Sequence, residues 1–197
     1  MSQFNLMTYW QHETQEHNEV AQKTIHTLHT HFEAMLNACA KTISNNGKIM
    51  FCGNGGSAAD AQHLATELSV RFIKDRPAIA GLALTTDTSI LTAAGNDYGF
   101  EHIFSRQIEA LGQKRDTIIA ISTSGNSPNI INAIKTAKKR GITTIGLSGR
   151  DGGKMRDICD HILIVPSHTT ARIQEMHTLL GHMLCGALEQ KLELIKA

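Results

Sequence analysis

The sequence has 197 residues, of which 41% are hydrophobic, so it is long and apolar enough for a domain with a substantial core. It carries 19 basic and 18 acidic residues, which leaves a formal net charge of +1 at pH 7. This balance gives no electrostatic reason to expect nucleic acid or an anionic membrane as a partner.

Cysteine usage and the N-terminus indicate a cytoplasmic protein. The four cysteines, at positions 39, 52, 159 and 185, have no paired spacing, which is typical of free thiols in a reducing compartment. The N-terminal stretch lacks the basic and apolar regions of a secretory signal. No apolar run approaches the roughly 18 residues that a membrane span requires.

The first predicted element is a long helix over about residues 7–45. This segment has no proline or glycine up to Ile43, and apolar residues such as Leu28, Phe32, Met35 and Cys39 recur at helical spacing. We interpret it as a helical arm of a single domain over residues 1–197. It would pack on the rest of that domain or on another subunit.

Five short apolar runs then alternate with helical patterns. They cover residues 48–52, 79–84, 117–121, 143–147 and 161–165, and a long helix over 171–195 ends the chain. Such alternation predicts an α/β fold, with a five-stranded parallel sheet between two helical layers. The loops that follow Cys52, Leu84, Ile121 and Val165 would then share the sheet edge where such folds bind ligands.

The loop after the third run is rich in hydroxyl groups. Its sequence, Ser122-Thr-Ser-Gly-Asn-Ser127, precedes Pro128 and a predicted helix. Backbone amides at such a helix start, together with the hydroxyls, can hold a phosphate dianion. The loop contains no lysine, so it is not a nucleotide P-loop, and an ordinary capped turn is the alternative interpretation.

The loop after the first run, Gly53-Asn-Gly-Gly-Ser57, lets the backbone approach a ligand closely or simply forms a tight turn. It does not match the dinucleotide-binding pattern. His63 and Glu67 follow at a spacing of four residues, which places them on one helix face. The pair could ligate a metal, act as an acid and a base, or form only a surface contact.

Two other polar segments are ambiguous from their residues alone. Gln174, Glu175, His177 and His182 fit the polar side of an amphipathic last helix. The composition of residues 95–99, GNDYG, predicts a turn. Neither segment establishes a functional site by itself.

Together these segments resemble the SIS (sugar isomerase) family and, within it, the phosphoheptose isomerase branch. The resemblance covers almost the whole chain. It is carried by CGNGGSAADAQHLATEL (52–68), LTTDTSILTAAGNDYGFEHIFSRQ (84–107), ISTSGNS (121–127), GLSGRDGGKM (146–155) and ARIQEMH (171–177). It implies a flavodoxin-like αβα sandwich with long N- and C-terminal helices.

The resemblance also implies roles for individual residues. Catalytic proton transfer would fall to Glu67 and His182, and one zinc ion per subunit would be held by His63, Glu67, Gln174 and His182. The residues implied to contact the substrate are Asn54, Gly55, Gly56, Ser57, Glu67, Asn96, Asp97, Ser122, Thr123, Ser124, Ser127 and Gln174. Of these, Ser122, Thr123, Ser124 and Ser127 match the phosphate-binding loop.

The implied reaction is the isomerisation of sedoheptulose 7-phosphate to D-glycero-D-manno-heptose 7-phosphate by a cytoplasmic homotetramer. It is the first step toward the heptose of bacterial lipopolysaccharide or related glycans. Two alternatives are another SIS sugar-phosphate isomerase and a scaffold similar to the DnaA initiator-associating proteins. The scaffold proteins lack the acid and the late histidine at the positions of Glu67 and His182, which favours an enzyme.

Two features of the sequence test whether the residue roles known for the family apply to this chain. Gln174 and His182 are eight residues apart, about 12 Å along a regular helix. Either Gln174 precedes the regular helix or some ligands come from a second chain, and we prefer the second explanation. Some phosphoheptose isomerases carry an aspartate where this chain has Ala171, so an acid or base role at that position is excluded.

Overall fold

The computed structural model describes residues 4–195. The helices are α1 (Leu6–Ser44), α2 (Gly56–Ser69), α3 (Thr88–Tyr98), α4 (Ser105–Leu111), α5 (Pro128–Lys139) and α6 (Thr170–Lys191). The strands are β1 (Ile49–Gly53), β2 (Gly81–Ala83), β3 (Thr117–Ser122), β4 (Thr143–Gly149) and β5 (His161–Val165). Short 3₁₀ turns cover Phe100–His102 and Gly153–Asp157. None of the described helices has the length and hydrophobicity of a membrane span.

The strands form one parallel sheet in the order β2-β1-β3-β4-β5, which confirms the predicted fold class. The chain passes from β1 to β2 on one side and then crosses over to β3 on the other. The strand order therefore reverses between β1 and β3. In open α/β sheets, ligands bind outside the carboxyl ends of the strands at such a point.

Helices cover both faces of the sheet and bury two separate sets of side chains. Successive side chains of β1 alternate between them, since Phe51 packs with the apolar residues of α1, α2 and α6. Met50 and Cys52 pack on the opposite face with residues of α3, α4 and α5. Every residue of β1 and β3 is buried, as expected for strands in the centre of a covered parallel sheet.

Three local predictions need correction. The last helix, expected over residues 171–195, ends at Lys191. Residues 79–84 were expected to form a strand, but β2 has only the three residues Gly81–Ala83, because the Ile79 amide donates to the Leu68 carbonyl of α2 and the chain turns at Leu84. The expected turn over residues 95–99 is wrong, since α3 continues through Tyr98. Asp87 caps α3 by accepting a hydrogen bond from the Ile90 amide at 3.0 Å, and the helix ends at Gly99, which has a φ of 91°.

Candidate active site

His63 and Glu67 of α2 and His182 of α6 meet where these two helices lie side by side, and they could hold a metal ion. The Nε2 atoms of His63 and His182 are 2.7 Å apart, and His63 Nε2 lies 3.6 Å from Oε1 of Glu67. His63 is exposed and the other two residues are half-buried, so a ligand can reach the cluster.

A close helix–helix contact creates this cluster. Gly181 of α6 faces Leu64 of α2, and a Cβ at position 181 would lie 2.5 Å from the nearest Leu64 carbon. Because glycine removes that atom, the two helices can approach each other at this level. The neighbouring residues His182 and His63 are thereby brought into contact.

The chemistry of the three side chains fits a divalent metal. Two imidazole nitrogens and a carboxylate oxygen are a donor set that zinc commonly takes. Two bare imidazole nitrogens at 2.7 Å would set lone pair against lone pair, which a shared proton or a shared cation relieves. One ion could contact all three residues, because their ligand atoms lie within 4.8 Å of one another.

Gln174 lies apart from this cluster within one chain. It belongs to the first turns of α6, which begins at Thr170, so the idea that it precedes the regular helix is wrong. Its amide packs against Gly56, where an added Cβ would lie 2.4 Å from Nε2 of Gln174. Gly56 therefore allows the start of α6 to approach the start of α2. Gln174 remains about 12 Å along the helix from His182.

Asp60 is a neighbour of the cluster that the sequence did not reveal. It shares a face of α2 with His63 and Glu67 and accepts a hydrogen bond from Oγ1 of Thr178 on α6 at 2.9 Å. Partial burial raises the pKa of its carboxyl above the ordinary value. Asp60 and Thr178 thus connect the two helices between Gln174 and the cluster.

The serine loop has the geometry of an anion site at the end of β3. Oγ of Ser122 and Oγ of Ser127 are 3.2 Å apart, and Gly125 turns the loop with a φ of 64°. Ser127 occupies the capping position of α5, but its side chain makes no capping bond; the Ile130 amide donates to Oδ1 of Asn129 at 3.0 Å instead. The hydroxyls of the loop, next to the positive end of the α5 dipole, can serve an anionic ligand.

The glycine loop after β1 is joined to the serine loop by a pair of asparagines. Nδ2 of Asn54 donates to Oδ1 of Asn129 at 2.9 Å, and Nδ2 of Asn129 donates to Oδ1 of Asn54 at 2.8 Å. Asn129 is buried in the first turn of α5. Asn129 could not be identified from the sequence, since nothing in its local pattern distinguishes it from an ordinary helix residue.

Asn96 and Asp97 occupy the exposed end of α3, where Nδ2 of Asn96 donates to Oδ1 of Asp97 at 2.8 Å. Next to them a cleft of about 520 Å³ opens between α3 and the glycine loop. Its wall includes Asn54, Gly55 and Gly95, whereas Asn96 and Asp97 are not among the described lining residues. The cleft therefore joins the glycine loop to α3.

We expect Gly125→Ala to disrupt the serine loop. Alanine is strained at a φ of 64°, and its Cβ would lie 1.9 Å from the carbonyl oxygen of Gly152. The free energy of unfolding should fall by at least about 1–3 kcal/mol, the usual cost of such strain, as measured by urea titration. Gly95→Ala is the control, because its added Cβ meets nothing closer than 3.8 Å. Equal stability of the two variants would contradict this account of the loop.

A buried histidine is linked to the serine loop through two successive hydrogen bonds. Nε2 of His177 donates to the carbonyl oxygen of Ser148 at 3.0 Å, and Oγ of Ser148 donates to the carbonyl oxygen of Ser122 at 2.9 Å. His177 and Ser148 are fully buried, and Nδ1 of His177 has no hydrogen-bond partner among the described residues. Burial lowers the pKa of His177 from 6.5 to about 4, so the ring is neutral at pH 7.

His177 makes the stability of the fold dependent on pH. Between pH 6.5 and about 4 the unfolded chain takes up a proton that the folded chain does not, so the free energy of unfolding falls as the pH decreases. The loss approaches about 3 kcal/mol below pH 4. The free energy of unfolding, measured by denaturant titration at several pH values, should therefore fall more steeply between pH 6.5 and about 4 in wild type than in His177→Gln. The exposed His26→Gln is the control, and identical curves for wild type and His177→Gln would contradict the prediction.

Comparisons with known proteins agree with this architecture. The SIS domain family model matches residues 14–149. The phosphoheptose isomerase of Campylobacter jejuni (strain 81116) is 54% identical over 178 residues, 90% of this chain and 95% of its own, and that of Aliarcobacter butzleri is 53% identical over 176 residues, 89% and 93%.

Solved structures agree as well. The phosphoheptose isomerase from Francisella tularensis superposes with a TM-score of 0.92 at 34% identity, over 95% of this chain and 100% of that one. The phosphoheptose isomerase from Neisseria gonorrhoeae gives 0.89 at 44% identity, over 94% and 100%. This chain belongs to the SIS domain family and, within it, to the phosphoheptose isomerases.

Proposed function

We propose that this protein is an aldose–ketose isomerase that interconverts sedoheptulose 7-phosphate and D-glycero-D-manno-heptose 7-phosphate. The reaction would supply heptose for bacterial lipopolysaccharide or related glycans. The observation that carries the proposal is the convergence of His63, Glu67 and His182 on the α2–α6 pair. These are the acid, base and ligand groups that such an isomerisation needs, in a chain of the phosphoheptose isomerase family.

Moving the carbonyl group between C2 and C1 requires removal of a proton from the carbon beside it, which gives an enediolate. Glu67 and His182 are the two groups that take up and return protons at the adjacent carbons and oxygens. Glu67 is the candidate base and His182 the partner acid. Their half-buried position limits competing water around the reacting groups.

The remaining side chains hold the substrate at both ends. The hydroxyls of Ser122, Thr123, Ser124 and Ser127, at the positive end of the α5 dipole, bind the phosphate. Gly55, Gly56 and Ser57, with Asn54 of the asparagine pair, contact the sugar hydroxyls together with Asn96, Asp97 and Gln174. Binding energy from the distant phosphate orients the reacting end of the sugar.

Zinc is the proposed cofactor, one ion per subunit, with His63, Glu67, His182 and Gln174 as its ligands. Bound there, it would act as a Lewis acid toward the carbonyl oxygen and the adjacent hydroxyl. Because Gln174 lies two helical turns from His182 in the same chain, we infer that Gln174 of a second subunit completes the site.

A homotetramer is the oligomeric state that we propose. Exposed apolar residues at the start of α1 support self-association: Phe4, Leu6, Met7, Tyr9 and Trp10 are all between 54% and 73% exposed. Light scattering after size exclusion should report four chains, and dilution to monomers should abolish turnover. A stable monomer with full activity would contradict shared sites.

The proposal is tested by incubating the purified protein with sedoheptulose 7-phosphate and following aldose formation. Unphosphorylated sedoheptulose is the control substrate, and its conversion should be far slower because the serine loop has nothing to bind. Absence of conversion by a well-folded tetramer would overturn the proposal. That result would favour a scaffold role for the chain.

A further inference from the structure

A second cavity lies at the opposite end of the sheet from the serine loop. It has a volume of about 520 Å³ and opens at the amino ends of β4 and β5, beside the last turns of α1. Because the strands are parallel, this edge is remote from the loops that follow β1 and β3. The lining residues that matter for its chemistry are Lys41, Asn45, Lys114, Arg115, Thr143 and His161.

The charged side chains that line the cavity are all positive. Lys41 from α1 and Lys114 and Arg115 from the loop before β3 all line it, and none of its described lining residues is acidic. None of these three cations forms an ion pair within residues 4–195. In a chain with a net charge of +1, this is a local excess of three positive charges at one concavity.

Asp116 and Asp160, which adjoin the lining residues Arg115 and His161 in sequence, are engaged with other partners. Asp116 is buried, where its carboxylate pairs with Nζ of Lys48 at 2.5 Å and accepts from the Lys48 and Gln113 amides. Asp160 pairs with Nζ of Lys138 at 3.0 Å and accepts from Thr144. These carboxylates are held by their own partners and leave the three cations of the cavity uncompensated.

The wall that carries the cations is well fixed. The 113–116 turn is closed by the Asp116 amide, which donates to the Gln113 carbonyl at 2.9 Å, and by the Asp116 carboxylate. The stem of Lys114 lies over Gly141, where an added Cβ would be 3.2 Å from its Cγ. At the end of α1, the Asn45 and Gly47 amides donate to the carbonyl oxygens of Lys41 and Thr42, which fixes the backbone beside Lys41.

We propose that this cavity binds a small molecule that carries a diphosphate group. Two or more adjacent anionic charges match three cations converging from two elements, and the arginine fork suits phosphate oxygens. The side-chain amide of Asn45, the Thr143 hydroxyl and the His161 ring supply additional hydrogen-bonding groups around the charges. The site lies apart from the proposed isomerase centre, so it would hold a ligand other than the substrate.

Isothermal titration calorimetry of the full-length protein with inorganic pyrophosphate tests the site. Lys114→Ala/Arg115→Ala should raise the dissociation constant of this site at least about tenfold, since two of the three cations that hold the anion are lost. Lys23→Ala/Lys191→Ala removes the same charge from exposed positions elsewhere and should bind as wild type does. Titrations with ADP and with inorganic phosphate distinguish a nucleotide from a bare anion.

Amide NMR shifts show which site is occupied. Pyrophosphate should shift the amides of Asn45, Gly141 and Thr143 in wild type, and Lys114→Ala/Arg115→Ala should abolish those shifts. Shifts confined to residues 122–127 would overturn the proposal, as would equal affinity in the two double variants. Since the readout is binding, it is independent of whether the protein isomerises a heptose phosphate.

Discussion

Glu67→Gln should lower the turnover number for sedoheptulose 7-phosphate by roughly 10²-fold or more, the usual effect of losing a general base. Glutamine keeps the shape of the side chain but cannot take up a proton at neutral pH. Glu67 is half-buried on α2 with its Oε1 3.6 Å from Nε2 of His63, so the lost carboxylate belongs to the cluster itself. Steady-state kinetics of aldose formation gives the comparison.

The control for this variant is Glu109→Gln on α4. Glu109 is exposed and, within residues 4–195, pairs only with Arg106, at 2.8 Å, so its amide variant should turn over as wild type does. Zinc content is measured in parallel, because Glu67 is also a proposed ligand. Wild-type turnover in Glu67→Gln would remove it from the chemistry.

Glu189→Gln should destabilise the fold more than any surface change. The side chains of Arg76 and Glu189 are 0–1% exposed, and Arg76 Nε lies 2.8 Å from Oε1 of Glu189. Removing the carboxylate leaves a buried guanidinium without its counter-charge, which typically costs about 3–5 kcal/mol. The melting temperature should fall on the order of 10 °C by calorimetry.

The Arg76–Glu189 ion pair also holds the end of α2 that carries Glu67 of the candidate active site. Nη2 of Arg76 donates to the carbonyl oxygen of Glu67 at 2.8 Å, and Nη1 donates to that of Leu68 at 2.7 Å. The end of α2 that carries Glu67 is therefore tied to α6 through Arg76 and Glu189. Glu109→Gln again serves as the control, with an expected cost under about 1 kcal/mol. A melting temperature equal to that of the control would show that the buried pair does not stabilise this contact.

The sheet was predictable from the sequence because its central strands are buried on both faces. Runs such as 117–121 are continuously apolar, and only a covered parallel strand or a buried helix explains them. The length of β2 was not predictable, because it depends on a hydrogen bond from the Ile79 amide to the Leu68 carbonyl of α2 and on a turn at Leu84, which the apolar run 79–84 does not indicate. The end of α3 was misjudged because GNDYG has a turn-like composition, whereas the Asp87 cap and Gly99 set the limits of the helix.

The site was predictable only in part for a similar reason. The spacing of His63 and Glu67 places them on one face of a helix, which is a local property. Their meeting with His182 depends on the contact of Gly181 with Leu64, which spans more than 100 positions and has no local signature. His182 was identified through the family resemblance. The supporting residues Asn129, Ser148 and His177 act through long-range hydrogen bonds, which no local sequence pattern predicts.

The most direct test of the account follows aldose formation from sedoheptulose 7-phosphate before chelation, after chelation and after zinc is restored. The metal content of the protein is measured at each stage. We expect conversion to fall with the loss of metal and to recover when zinc returns to the His63, Glu67 and His182 cluster. Conversion that continues unchanged in fully metal-free protein would contradict a metal-assisted centre, and absence of conversion at every stage would contradict the isomerase itself.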